Sequence, residues 1–301
     1  MLKKPTLLIT GCGGMLGEAV YSEFKDHYSV FATDIDLNEP WLEYLNVSDN
    51  DAVQKYGEKI KPDLIFHLAA LTDMEYCENH PEEAYDTNKQ GTENIVNLAK
   101  QLAIPLVYIS TAGIFDGQKE EYAENDQPAP LSVYGKSKFL GELAARSYDK
   151  SIVIRAGWMI GGGPKKDKKF INKIIKQINS GVIELAVVDD KLGTPTYTYD
   201  LAKIMRFLLE RRLYGIYHGT CDGGGSRRDV AQVILAGLGL KNKVAIKTVN
   251  SEYFKDSYFA PRPASEQLTN FKLKESGIAT RDWRICLEEY LKKFDWLKNS
   301  E

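Results

Sequence analysis

The chain has 301 residues, 43% of them hydrophobic and 27% charged, with a formal net charge of −3. Acids and bases are mixed along its length, which argues against a nucleic acid or a membrane surface as the main partner. No apolar run is long enough to span a bilayer, and the four cysteines (Cys12, Cys77, Cys221, Cys286) and four histidines are too dispersed to predict a disulfide framework or a metal centre.

The first residues, Met1-Leu2-Lys3-Lys4-Pro5, run straight into a strand pattern without an apolar leader, so a cytoplasmic location is expected. Residues 6–10, Thr-Leu-Leu-Ile-Thr, read as a buried strand closed by glycines. Helical spacing follows over 15–24, with Leu16, Val20 and Phe24 on one face. Strands are expected at 30–33 and at 64–67, the second introduced by Pro62-Asp63. Pro81 opens a long helix to about Leu102, with Ile95, Leu98, Ala99 and Leu102 on one side. A strand at 106–110, a helix at 132–146 and a strand at 152–155 complete the alternation. This rhythm predicts an α/β fold with a doubly wound parallel (Rossmann) sheet and ligands at the carboxyl ends of its strands.

Beyond Trp158 the rhythm loosens. Gly161-Gly162-Gly163-Pro164 breaks the chain, and the basic stretch 165–169 reads as a solvated loop rather than a diphosphate contact. A helix to about Asn179, a strand at 185–188, a helix at 199–210 and a strand at 215–219 are expected next. A helix after Ser226, a turn at Pro261-Arg262-Pro263 and a last helix from about Trp283 follow. The expected organisation is a dinucleotide-binding domain over 1–158, to which 194–220 returns. A smaller α/β substrate-binding lobe is then assembled from 159–193 and 221–301.

Gly11-Cys12-Gly13-Gly14-Met15-Leu16-Gly17 lies between a strand and a helix, the setting in which a glycine string binds a pyrophosphate. Its first glycine allows a tight turn, the second admits the phosphates to the backbone, and the third lets helix and strand approach. Asp34, at the end of the second strand, stands where a carboxylate would accept hydrogen bonds from ribose hydroxyls and repel a 2′-phosphate. NAD(H) is therefore favoured, with NADP(H) admitted. Gly223-Gly224-Gly225 lacks the strand and acid of such a motif, and Ser226 explains it as a turn with a helix cap.

Tyr134 and Lys138 are one helical turn apart on the same face. A tyrosine is a poor acid or base at neutral pH unless a cation lowers its pKa, and Lys138 is placed to do so and to reach a ribose. Alone, this pair could be a surface contact. Ser110 and Thr111, at the end of the preceding strand, are expected to aim their hydroxyls at the same cleft edge. Together with the glycine loop they make a carbonyl reductase site.

These motifs resemble the extended short-chain dehydrogenase/reductase superfamily. His67-Leu68-Ala69-Ala70-Leu71-Thr72, Phe115-Asp116-Gly117, Arg155-Ala156-Gly157-Trp158, the segment 187–197 and Arg262-Pro263 sharpen the resemblance to the dTDP-4-dehydrorhamnose reductase family. The resemblance implies NAD(P)H-dependent reduction of the 4-keto group of a nucleotide-linked deoxysugar. It implies that Thr111 polarises the carbonyl, that Tyr134 protonates the alkoxide, and that Lys138 tunes Tyr134 and holds the ribose. Gly11, Gly13, Gly14, Met15, Leu16, Gly17, Asp34, Leu68, Ala69, Ala70, Thr72 and Asn88 fall on the cofactor side, Asn88 as the residue that positions the lysine through water. Trp158 and Arg262 fall on the substrate side.

One departure stands out: Ala112-Gly113 occupies positions where the family carries aspartate and tyrosine. The missing acid counts against a dehydratase. An NAD-dependent nucleotide-sugar epimerase and a non-catalytic NAD(P)-binding regulatory subunit remain as alternatives, and a homodimer is compatible with the chain.

Overall fold

The computed structural model describes residues 4–297. Its first half runs β1 (Thr6–Thr10), α1 (Gly17–Phe24), β2 (Ser29–Asp34), β3 (Glu43–Tyr44), α2 (Asn50–Ile60), β4 (Leu64–His67), α3 (Met74–Asn79) and α4 (Pro81–Tyr85). A π turn (Asp86–Gln90) leads into α5 (Gly91–Leu102), then β5 (Leu106–Thr111), β6 (Glu121–Tyr122), α6 (Val133–Arg146) and β7 (Ser151–Ala156). The second half runs β8 (Trp158–Ile160), α7 (Gly163–Lys166), α8 (Phe170–Asn179), β9 (Glu184–Val188), β10 (Leu192–Gly193), β11 (Pro195–Tyr197), α9 (Thr198–Glu210) and β12 (Gly215–His218). It ends with β13 (Gly225–Ser226), α10 (Arg227–Gly237), β14 (Ala245–Val249), β15 (Ser265–Leu268), α11 (Phe271–Glu275) and α12 (Trp283–Lys292).

Seven parallel strands form the central sheet in the order β12-β7-β5-β4-β1-β2-β3. The order reverses at β1, between β2 and β4, so a crevice opens beyond the carboxyl ends of β1 and β4. Alternation along β1 explains the layers. Leu7 and Ile9 pack with Val20 and Phe24 of α1 and Leu201, Met205 and Leu208 of α9. Leu8 faces the other way, into a core with Val53, Ile95 and Leu98.

A second core gathers Ile160, Ile171, Ile174, Leu185, Val230, Ile234, Trp283, Leu287 and Tyr290 from both sides of α9 and β12 in the chain. Beside it lie the parallel pair β9–β14 and a small sheet in the order β13-β10-β15-β6. Among the described residues no helix is long and apolar enough to cross a membrane.

Two of the local differences from the sequence reading have a plain physical reason. Helix α2, capped by Asp49 accepting from the Ala52 N–H at 3.0 Å, has no counterpart among the expected elements. It buries Val53 and Gly57 and packs Ala52, Tyr56 and Ile60 against the same core, a helical stripe that the sequence reading passed over. The long helix from Pro81 is also interrupted by the π turn, which turns Asn88 into the interior.

Tyr134, Lys138 and Glu142 recur every fourth residue along α6 and share one face. At the far end of that face, Glu142 meets Arg155 of β7 in a two-pronged ion pair, Nη2 to Oε1 at 2.6 Å and Nε to Oε2 at 3.0 Å. Their side chains are 0% and 1% exposed. Ser110 donates to the same carboxylate at 2.7 Å, and Arg155 Nη1 donates to the Glu124 carbonyl at 3.2 Å. Removing one partner strands a buried charge. Glu142→Gln is therefore expected to lower the unfolding free energy by about 3–5 kcal/mol. In chemical denaturation the double variant Glu142→Met/Arg155→Met should lose less than the single one. A single variant as stable as wild type would contradict this account.

Candidate active site

The glycine loop begins at the carboxyl end of β1, where Cys12 donates its N–H to the Thr33 carbonyl at 3.0 Å. Gly11 has φ +72°, and a side chain there would collide with the backbone of Ala69. At Gly17 a side chain would strike the Cys12 carbonyl, so its absence lets α1 start hard against the loop. A Cβ on Gly14 would meet nothing nearer than the Gly11 carbonyl oxygen at 3.5 Å, which leaves that stretch of backbone open for a pyrophosphate. Leu16 sends its side chain into the core beside Val20, while the Met15 backbone lies against Gly162.

Asp34 lies over this loop. One carboxylate oxygen accepts the Gly13 N–H at 2.8 Å, and the other accepts that of Asp36 at 3.0 Å. Across the crevice Leu68 donates its N–H to the Thr10 carbonyl at 2.9 Å, and Ala69 and Ala70 follow, half-buried. Both the Thr72 carbonyl and hydroxyl accept from Lys169, at 3.0 and 3.4 Å.

The stretch 165–169 is thus not the solvated loop expected. Lys165 donates to the Asn38 carbonyl at 2.7 Å, and the buried Lys166 lies 3.2 Å from Glu39. Hydrogen bonds from Lys165 and Lys166 hold the Glu39 carboxyl below the ordinary range. Its negative charge is what draws the lysines down onto the connection after β2.

Asn88 is completely buried and clamps the 68–72 stretch. It accepts the Leu71 N–H at 2.9 Å, donates to the Leu71 carbonyl at 3.0 Å and donates to Ser137 Oγ at 3.0 Å. Its side chain therefore supports both the crevice wall and α6 instead of projecting into the crevice.

Ser132 caps α6 by accepting the Gly135 N–H at 3.0 Å, which places Tyr134 in the first turn. Thr111 and Tyr134 both border the position a Gly113 Cβ would take, and the Thr111 hydroxyl accepts the Gly113 N–H at 3.1 Å. Ser110, expected at the same edge, points the opposite way into the Arg155–Glu142 pair, because neighbouring strand residues face opposite sides of a sheet. Lys138 is buried, donates to the Ile109 carbonyl at 2.7 Å and lies 4.3 Å over the Tyr108 ring.

Burial pushes the Tyr134 phenol up to about 12, with the Thr111 hydrogen bond opposing. Burial also brings the Lys138 ammonium down to about 7 against the pull of Glu142. The expected lowering of Tyr134 by Lys138 is thus absent: a lysine drawn toward neutrality and bonded to a carbonyl is a weak partner for phenolate. The phenol stays protonated at neutral pH, as a proton donor must.

On the other wall, Gly193 passes so close under the Trp158 ring that no side chain would fit there. The Arg227 guanidinium lies 3.6 Å over the same indole ring. Trp158 Nε1 donates to Glu266 at 2.8 Å. Burial brings Arg227 down to about 10, with Glu266 opposing. Arg262 pairs with Glu75 of α3 at 2.7 Å and donates to the Ala260 carbonyl at 2.9 Å, linking the β15 side of the crevice to the dinucleotide side. Sequence reasoning missed Arg227 and Glu266. Ser226 does cap α10, with Asp229 completing a capping box, so the glycine run before it is the turn expected. The cue passed over was the arginine at the first position of that helix.

With this geometry in view, comparison with known proteins is decisive on lineage. Residues 5–296 match the family model of the RmlD substrate binding domain. A dTDP-4-dehydrorhamnose reductase from Aggregatibacter actinomycetemcomitans is 32% identical, covering 94% of this chain and 97% of its own. The chain belongs to this family. A Bacillus anthracis dTDP-4-dehydrorhamnose reductase solved in complex with NADP superposes with a TM-score of 0.88 at 29% identity, covering 97% of this chain and 100% of its own. The chain is also similar to methionine adenosyltransferase 2 subunit beta of Xenopus tropicalis, 30% identical over 95% of this chain and 87% of that protein. The likeness to reductases runs over nearly the whole chain, including the segments that carry Trp158 and Arg227.

Because Lys138 titrates near 7 when folded and at 10.5 ordinarily, the unfolded chain binds the extra proton between those values. Stability relative to a Lys138→Met variant is therefore expected to rise with pH across that window, by up to about 1.4 kcal/mol per pH unit, and to level off on either side. Denaturation curves from pH 6 to 11 check this. A difference that does not change with pH would remove the buried-lysine account.

Proposed function

We propose that this chain reduces the 4-keto group of a dTDP-linked deoxysugar, using NADH or NADPH. The observation that carries the reading is the junction of Thr111 and Tyr134 at the carboxyl end of β5, beside a glycine loop open to a pyrophosphate. The membership of the whole chain in a reductase family supports it.

The residues fit a dinucleotide. The open backbone around Gly14 suits the pyrophosphate, and Asp34 at the end of β2 suits the adenosine ribose. Asp34 favours NADH, whereas Lys165 and Lys166, bound to Glu39 on the same connection, temper its repulsion of a 2′-phosphate. Reduced nicotinamide, when bound, supplies the hydride.

Thr111 holds and polarises the substrate carbonyl by donating to its oxygen. Tyr134, kept protonated by burial, delivers the proton to that oxygen as it gains charge. Lys138 supports the polar end of the crevice from beneath. Arg227, stacked on the Trp158 ring, offers a cation that suits the diphosphate of the substrate.

The proposal is tested by following NADH and NADPH oxidation with a dTDP-linked 6-deoxy-4-keto sugar. Tyr134→Phe is expected to lower kcat by about 10²–10⁴, with the cofactor dissociation constant unchanged. The likeness to the methionine adenosyltransferase subunit favours a second reading, a cofactor-binding regulatory subunit. Cofactor binding with no turnover by wild type on any nucleotide 4-keto sugar would select it.

A further inference from the structure

Gly113 leaves a gap in the wall of the crevice, and its three neighbours carry chemistry. A Cβ built there would lie 3.4 Å from Glu266 Oε1, 3.5 Å from Thr111 Oγ1 and 3.5 Å from Tyr134 Cε1. Glu266 comes from β15, more than 150 residues further along the chain, yet its carboxylate borders the same small space as Thr111 and Tyr134. The carboxylate is also oriented. Trp158 Nε1 fixes Oε2 at 2.8 Å, which leaves Oε1 turned toward the gap, where among the described residues no protein donor meets it. A methyl at 113 would sit in ordinary contact with that oxygen, so the missing Cβ leaves a methyl-sized space beside the projecting carboxylate.

A carboxylate oxygen accepts hydrogen bonds and donates none, so it selects a donor on the ligand. If Thr111 and Tyr134 hold a ring carbonyl oxygen, the group that faces Oε1 across Gly113 is a neighbouring substituent of the same ring. We infer that Glu266 is a specificity-determining residue that accepts a hydrogen bond from the sugar hydroxyl adjacent to the reduced carbonyl, so that the chain selects sugars retaining the 3-hydroxyl. This inference rests on the function proposed above and extends it to the substrate class. Sugars without that hydroxyl leave an oriented carboxylate without its partner, and sites built in this way reject the deoxy analogue strongly.

The test pairs two substrates with three proteins. The dTDP-linked 6-deoxy-4-keto sugar and its 3-deoxy counterpart are compared with wild type, Glu266→Ala and Glu266→Gln. Wild type is expected to prefer the hydroxylated sugar by about 10²-fold in kcat/KM. Glu266→Ala should bring the ratio close to one, by losing activity on the hydroxylated sugar and by relieving the 3-deoxy sugar of the unpartnered carboxylate. Glu266→Gln, which keeps an acceptor for Trp158 and preserves the wall if alanine does not, should show an intermediate preference. Equal losses on both sugars would mean that Glu266 acts only through Trp158, and an unchanged ratio would mean no contact; either overturns the inference. Calorimetric binding of the corresponding dTDP-linked alcohols, with and without the 3-hydroxyl, gives the same ratio without turnover. Absence of turnover by wild type would then sink the proposed reaction while the binding ratio still decides the role of Glu266. Failure of wild type to distinguish or bind either alcohol would overturn the inference as well.

Discussion

A buried guanidinium–carboxylate pair, Arg155 with Glu142, is the constraint on which the candidate site depends. It joins β7 to α6, and through Ser110 and the Glu124 carbonyl it reaches β5 and the loop before α6. His218 of β12 sits 3.4 Å from the same guanidinium. Burial and that positive charge hold the imidazole down at about 3, so it joins the network neutral. Two desolvated charges are tolerable only with such complete pairing. The result is a fixed roll for α6. A slip of one residue would turn the helix by about 100° and carry Tyr134 away from Thr111.

The crevice is closed by interactions of another kind. Lys165 with Glu39, Lys169 with Thr72 and Arg262 with Glu75 cross from the second lobe to the dinucleotide side. Partly exposed ion pairs contribute about 0–1 kcal/mol each. Apolar burial in the separate cores therefore holds each layer together, and the polar contacts set how the two sides face one another.

Much of the central sheet was legible because buried parallel strands are continuous apolar runs and their helices are strongly periodic. Residues 6–10, 64–67 and 106–110 needed no tertiary information. Helix α2 escaped because its core-facing stripe of Ala52, Val53, Tyr56 and Ile60 is diluted by more numerous polar and charged residues, and the π turn at Asn88 escaped because 22 helix-compatible residues from Pro81 to Leu102 look continuous to any periodic reading. On the site, local motifs were readable: the glycine loop, Tyr134 and Lys138 lie within short windows. Arg227 and Glu266 were not, since their significance arises from β13 and β15 pairing with β10, which brings three distant segments under Trp158. The raised pKa of Tyr134 depends on burial, which spacing does not report, whereas the opposite directions of Ser110 and Thr111 follow from strand alternation.

The interleaving of the two cores also orders the birth of the protein. Ile160, Ile171 and Ile174 leave the ribosome well before Trp283, Leu287 and Tyr290, the aromatic and aliphatic groups that cover them. Between the two, the chain must go back to add β12 to the edge of the large sheet. A nascent chain halted after β12 would thus own a finished sheet and half of a greasy second core. The interval until α12 emerges is when this molecule has most need of a chaperone's shelter.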